Sequence, residues 1–223
     1  MVHISIEIRG FTVRLLTEVK RDAILQAAAK VFQEEGFEAA SMAGIATEVG
    51  GSKSTLYRYY SSKEELFVAV SHQTAKSQIL PSLEKLLASQ SKELSAVLRE
   101  FGMASLSVVT SESSIKTLRV VISESGRSDI GNLFFETGPK VAMKLLADFL
   151  KDRMEAGVMR KTNPEVAARH LIALLDSETV FPLLMGVRGG LSRAELKDAV
   201  HRAIDTFVSG YKASDSTQAE LGT

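Results

Sequence analysis

The 223-residue chain contains no cysteine. That excludes disulfides, thiolate-ligated zinc and thiol nucleophiles, and it suits a reducing, cytoplasmic setting. Its four histidines, His3, His72, His170 and His201, are scattered, with no H-x-x-x-H pair to begin a metal site. No G-x-S-x-G elbow occurs, and GGSKST at residues 50–55 lacks the G-x-x-x-x-G-K-[ST] spacing of a phosphate loop. The expectation is a protein that is not an enzyme and carries neither metal nor cofactor. No apolar run approaches the roughly 20 residues a membrane helix needs, so no membrane partner is expected. Residues 1–16, with Glu7, Arg9 and Arg14, lack a compact apolar stretch ahead of small residues and do not read as a signal peptide. An excess of either charge is also missing, since 27 Lys and Arg balance 27 Asp and Glu. A basic footprint usually marks nucleic-acid binding, so any such function has to rest on where a few cations sit.

What is present is a succession of capped helix signals centred on residues 41–67, SMAGIATEVGGSKSTLYRYYSSKEELF. Ser41 is an N-cap residue, and Met42, Ile45, Ala46 and Val49 follow at helical spacing. Gly50 and Gly51 end that helix, because glycine accepts the left-handed conformation a C-cap needs. Ser52 caps a second short helix in which Leu56 and Tyr60 point inward. Lys53, Ser54, Thr55, Tyr57, Arg58 and Tyr59 remain for other surfaces. Ser62 with Glu65 forms a capping box for a long third helix. Two short helices around a glycine turn, the second rich in hydroxyls and cations, match a helix-turn-helix that presents its second helix to a DNA major groove.

The rest of the chain reads as helix throughout. A helix over about 17–35, with Ile24, Leu25, Ala28, Val31 and Phe32 as one stripe, stops at Gly36. It completes a three-helix unit whose expected core adds Phe37, Met42, Ile45, Val49, Leu56, Tyr60 and Phe67. Ile4, Ile6 and Ile8 alternate as in a strand, but nothing is available to pair with it, so residues 1–16 are read as an extension, either a mobile arm or a translation-start artefact, with an arm reaching the DNA backbone through Arg9 and Arg14 as the other reading. After Lys63 a helix runs to about Ile79 or beyond, with Pro81 predicting a kink or break. Helices follow over about 91–110, 115–124, 130–137, 141–155, 164–185 and 192–211, the last opened by a second capping box, Ser192 with Glu195. The expectation is an all-α fold of about nine helices. It divides into a helix-turn-helix domain over 17–67, a larger C-terminal ligand-binding and dimerisation domain over 68–212, and a disordered tail over 213–223.

The segment ILQAAAKVFQEEGFEAASMAGIATEVGGSKSTLYRYYSSKEEL, residues 24–66, resembles the N-terminal motif of the TetR family of bacterial transcriptional regulators. The resemblance implies a ligand-responsive regulator, most often a repressor, that binds a near-palindromic double-stranded DNA operator as a homodimer. Release would be triggered by a small, largely apolar effector. Two positions depart from the family pattern. Gly51 stands where Val is usual, and Ser54 where Gly is common. A charge count over 17–67 sets six Lys and Arg against eight Asp and Glu, a net of −2.

Within that reading, residues 52–59 span ~12 Å at 1.5 Å per residue, which fits the major groove. Lys53 and Arg58 are the candidates for guanine edges; Ser54 and Thr55 reach bases or phosphates. Tyr57, Tyr59, Ser41 and Ser52 suit phosphate oxygens, as does Lys63 at the head of its helix. The dimer face is expected on the last two long helices, through His170, Leu171, Leu174, Val200, Ile204 and Phe207, with completion of the monomer core as the other use of those stripes. Phe101, Phe134, Phe135, Met143, Asp176 and Phe181 are the candidates for lining an effector cavity. The rival readings are an all-helical module that binds protein rather than DNA and, further off, an enzyme.

Overall fold

The computed structural model describes residues 2–89 and 93–213, with the backbone alone described over 2–17 and at Thr74. Among the described residues there are eleven helices and no strand, only an isolated bridge between Met159 and Lys212. The expected tail lies almost wholly outside the described residues. The helices are α1 (Val2–Ala39), α2 (Met42–Glu48), α3 (Lys53–Tyr59), α4 (Lys63–Ala88), α5 (Leu94–Val109), α6 (Glu112–Glu124), α7 (Ile130–Thr137), α8 (Pro139–Glu155), α9 (Pro164–Ser177), α10 (Val180–Leu184) and α11 (Arg193–Tyr211).

The hydroxyl and amide caps read from the sequence are in place. Ser41, Ser52, Ser62, Asn163 and Ser192 each accept a hydrogen bond from the backbone N–H three residues on. The capping box at Ser192 and Glu195 is complete. At Ser62 it is only half formed, because the Glu65 carboxylate turns to the N–H and hydroxyl of Ser61 instead.

The backbone is helical from Val2, since a helix satisfies its own backbone where alternating isoleucines would need a partner strand. Gly36 interrupts the helical geometry at φ 80°, ψ 168° as foreseen, but a further turn follows to Ala39. α4 runs on past Pro81 to Ala88. One expectation needs correction: the single helix expected over 164–185 is two. A proline ring collides with the carbonyl four residues back and offers no N–H to it. α4 accommodates this at Pro81, whereas ahead of Pro182 the helix is interrupted between Ser177 and Val180. The chain turns at Thr179, whose fully buried hydroxyl donates to the Leu175 carbonyl at 2.9 Å.

The apolar stripes close two cores. The larger is built from α4, α5, α6, α8, α9, α10 and α11 and includes Leu98, Ile115, Leu146, Leu150, Leu171, Val200, Ile204 and Phe207. Gly102 of α5 lets these helices approach closely, since a Cβ there would sit 3.1 Å from Val200 and 3.2 Å from Leu175. The smaller core is the expected N-terminal set, with Phe32, Phe37 and Phe67 packed edge-to-face or tilted at centroid distances of 4.9–6.1 Å. It also takes in Val121 from α6 and Ile130 from α7, with Leu133 and Phe134 against its rim. The boundary drawn at residue 67 from the sequence thus cuts across a continuous apolar cluster.

That cluster is sealed by His72 of α4. Its ring stacks on Phe134 at 4.9 Å, and Nε2 lies 3.2 Å from the Phe134 carbonyl. Burial holds the imidazole below its ordinary pKa, so the neutral ring donates Nε2–H to that carbonyl.

Candidate nucleic-acid interface

Three contacts tie the helix-turn-helix to α1. Arg21 Nε donates to the Tyr60 hydroxyl at 3.2 Å, an interaction that also raises the arginine's pKa. Lys30 pairs with Glu48 of α2 at 2.7 Å. Lys63 donates to the carbonyls of Phe37, Glu38 and Ala40 at 2.7, 3.2 and 3.1 Å, with its ammonium 4.4 Å above the Phe37 ring.

This corrects the expectation for Lys63. All three ammonium protons go to the C-terminal carbonyls of α1, where a cation also suits the negative end of the helix. The residue caps α1 and does not reach outward to phosphate. Lys63→Met is accordingly expected to lower the unfolding free energy by about 1.5–3 kcal/mol, the range for hydrogen bonds to a charged group. It should leave the slope of log affinity for DNA against log salt unchanged. Thermal melts and salt titrations check the two halves.

The other residues expected at the DNA face form one outward surface on α2 and α3. Lys53, Ser54, Tyr57 and Arg58 are exposed, as are Ser41 and Ser52 at the helix caps. Thr55 and Tyr59 are half-buried, Tyr59 against the smaller core. The Ser52 hydroxyl lies 2.9 Å from that of Ser54 and 2.8 Å from that of Thr55. This chain of hydroxyls holds the departure at Ser54 inside the capping of α3. Tyr57 is 43% exposed, with the Lys53 ammonium 5.8 Å from its ring centre. Leu56 and Tyr60 anchor the helix from beneath. Neither Lys53 nor Arg58 has a carboxylate partner among the described residues, so both charges are available to an anion outside the chain.

The dimer set is corrected more deeply. Leu171, Val200, Ile204 and Phe207 lie in the interior of the larger core. They complete the monomer and cannot meet a second copy. Leu174 is half-buried against the same core, and His170 sits outside with Nδ1 2.7 Å from the Tyr211 hydroxyl. An apolar stripe looks the same in sequence whether its partner is a neighbouring helix or another chain. The large apolar side chains left outside nearby are Phe181 (66% exposed), Met185 (63%) and Val187 (77%) on and after α10. Arg119 of α6 anchors that segment by donating to the carbonyls of Leu183 and Leu184 at 2.7 and 3.1 Å. Glu124 of α6 pairs with Arg127.

The effector set does not converge either. Phe135 and Phe181 are exposed, Phe134 packs under His72, and Met143 is half-buried on α8. Phe101 lines a cavity of about 50 Å³ between α4 and α5, together with Ser82, Lys85, Leu86, Ser89, Val97 and Glu100. That is well short of the ~300 Å³ or more that a small-molecule site occupies.

Asp176 is the exception in character. Burial pushes its carboxyl up to about 6 from 3.8. The folded chain resists ionising it, so the penalty is absent below the ordinary carboxylate range and complete above about pH 6. Asp176→Asn is expected to raise stability at pH 8 by about 1–2 kcal/mol, with allowance for solvent screening, and to change nothing near pH 4. Urea midpoints at the two pH values test this.

Comparison with known proteins agrees with this geometry. Residues 24–70 match the family model described as bacterial regulatory proteins, tetR family, and residues 96–213 match the AefR-like transcriptional repressor, C-terminal domain. Over 57 residues the chain is 46% identical to the HTH-type transcriptional activator FasR of Mycolicibacterium smegmatis, covering 26% of each protein. Over 50 residues it is 44% identical to the HTH-type transcriptional repressor NicS of Pseudomonas putida, covering 22% of this chain and 24% of that one. The chain therefore matches about a quarter of the length of these curated relatives. Similarity to solved structures is longer. A TetR-family regulator from Mesorhizobium loti aligns with TM-score 0.75 and 25% identity, covering 87% of this chain and 98% of that one. The flavonoid-responsive regulator FrrA aligns with TM-score 0.69 and 30% identity over the same shares.

Proposed function

Since the chain belongs to the TetR family of bacterial transcriptional regulators, we propose that it is a repressor. In this reading it binds a near-palindromic operator as a dimer and leaves it when a small apolar molecule occupies the C-terminal helices. The observation that carries the DNA half is the outward face of α3, where Lys53, Ser54, Tyr57 and Arg58 stand together without an internal partner. Lys53 and Arg58 read guanine edges in the major groove; Tyr57, Ser41 and the α3 hydroxyls hold phosphate. A single such unit covers too few base pairs for useful specificity, and a two-fold dimer with half-sites ~34–36 Å or more apart supplies the rest.

The second copy docks on the α10 segment, where Phe181, Met185 and Val187 stand exposed beside α6 and α9. The flavonoid response of FrrA, 30% identical over nearly its whole length, supports a small-molecule trigger. The effector acts by its differential affinity for two arrangements of the DNA-binding units. A site of useful size between α5, α8 and α9 requires these helices to part.

The test is a gel shift with the DNA flanking the protein's own gene, at rising salt. A specific complex that Arg58→Ala weakens by about 10- to 100-fold is expected, the worth of one good base contact. Absence of any specific shift at low salt would sink the reading.

A further inference from the structure

We propose that Lys20, on α1, is a DNA-backbone contact of this protein, admitted to the recognition surface by the missing side chain at Gly51. The inference rests on the DNA-binding reading above and extends it to a residue outside the helix-turn-helix.

Two adjacent glycines follow α2, and only one is there for its backbone. Gly50 has φ +69° and turns the chain. Gly51 lies outside the left-handed region, so an ordinary residue could stand there. Its lack of a side chain therefore bears on space and not on conformation. The space is a narrow cleft of about 10 Å³ at the foot of α3, lined by Lys20, Ile24, Ala46, Val49, Gly51, Ser52, Thr55 and Leu56. A Cβ built on Gly51 would stand 3.9 Å from Lys20 Nζ and 4.0 Å from a Val49 methyl. The next atoms of a branched side chain would compete with the ammonium for its position.

Lys20 is half-buried, and the stem of its side chain runs along this cleft. Its ammonium reaches the space over Gly51, in the cleft that Ser52 and Thr55 also line. Of the six cations between residues 17 and 67, Arg21, Lys30 and Lys63 are engaged inside the fold. Lys20, Lys53 and Arg58 have no acceptor among the described residues. The first turn of α3 contains no acidic residue to balance Lys20. A phosphate reaching this cleft would supply the acceptor that Lys20 and Lys53 lack among the described residues. The contact is non-specific in base sequence but fixes the angle at which α3 enters the groove.

The experiment uses the full-length protein and a duplex selected by the wild type from a randomised pool, with affinity measured across a salt series. Lys20→Met, which keeps the aliphatic stem, is expected to reduce the slope of log affinity against log salt by about 0.9 and to weaken binding about eightfold at 0.1 M salt, the share of one released counterion. Gly51→Val should produce the same loss by displacing the ammonium, and the double variant should lose no more than either single one. An unchanged slope for Lys20→Met overturns the proposal, as does full additivity of the two losses. If Gly51→Val does not fold, Lys20→Met decides alone. If the wild type selects no duplex, the DNA-binding reading falls and this proposal with it. That outcome is distinct from a wild type that binds with a slope Lys20 does not alter.

Discussion

Truncating Phe207 to alanine is expected to unfold the C-terminal helices, not to dissociate a dimer. The ring is buried in the larger core and stacks on Tyr211 at 4.6 Å with an interplanar angle of 28°. Tyr211 in turn holds His170 through a 2.7 Å hydrogen bond and lies under the Arg160 guanidinium at 4.8 Å. Removing a buried phenylalanine typically costs about 3–5 kcal/mol, out of a total of about 5–15 kcal/mol for a folded protein. The urea midpoint should fall sharply, with the loss independent of protein concentration. Phe181→Glu supplies the contrast. It lies on an exposed apolar site, so its midpoint at fixed low concentration should scarcely move while light scattering reports a monomer. If Phe207→Ala instead gave a stable, well-folded monomer, the assignment of α11 to the interior would be wrong.

Gly138→Ala is the second large effect. Gly138 has φ −130° and ψ −84°, outside the left-handed region that favours glycine. The obstacle is space, because a Cβ would stand 2.2 Å from His72 Cε1 and 2.7 Å from Nδ1. The imidazole has to leave its seat, breaking the stack on Phe134 and the bond to its carbonyl. Overpacking costs about 1–3 kcal/mol, and the lost hydrogen bond adds about 1 kcal/mol. In a His72→Ala background the same substitution should cost little, so the double-mutant cycle isolates the clash. The seat also has a pH signature. The folded state keeps His72 neutral, below its ordinary value of 6.5. Stability should therefore be full above that range and decline as pH falls through it. His72→Gln should flatten the decline.

Much of the fold was legible because caps are local. Ser41, Ser52, Asn163 and Ser192 announce their helices through interactions three residues long, and each does so in the structure. The motif over residues 24–66 carried the recognition helix by the same kind of short-range grammar. What failed was long-range. The stripes on α9 and α11 do not say whether they face α5 or another molecule, and the deciding residue is Gly102, some seventy to a hundred positions away in the chain. Lys63 gave a partial signal, since a cation at a helix start is unfavourable and demands another reason. Its three carbonyl acceptors lie 23–26 residues earlier and could not be seen. Lys20 gave none. Gly51 showed that a side chain was missing, but not which residue had moved into the space.

The shared cluster around Val121 and Ile130 has a practical meaning for anyone who would transplant the reading head of this regulator onto another sensor. A graft cut after residue 67 would carry away Ile24, Phe32 and Phe67 but leave behind the α6–α7 side chains that close over them. The recipient would have to offer an apolar surface of matching shape, or the transplanted head would arrive with an open flank. Functional chimeras should therefore keep residues 112–138 with the N-terminal unit, or import a matching pair of helices along with it. In this chain, the instrument that reads and the instrument that senses were cast as one piece at that joint.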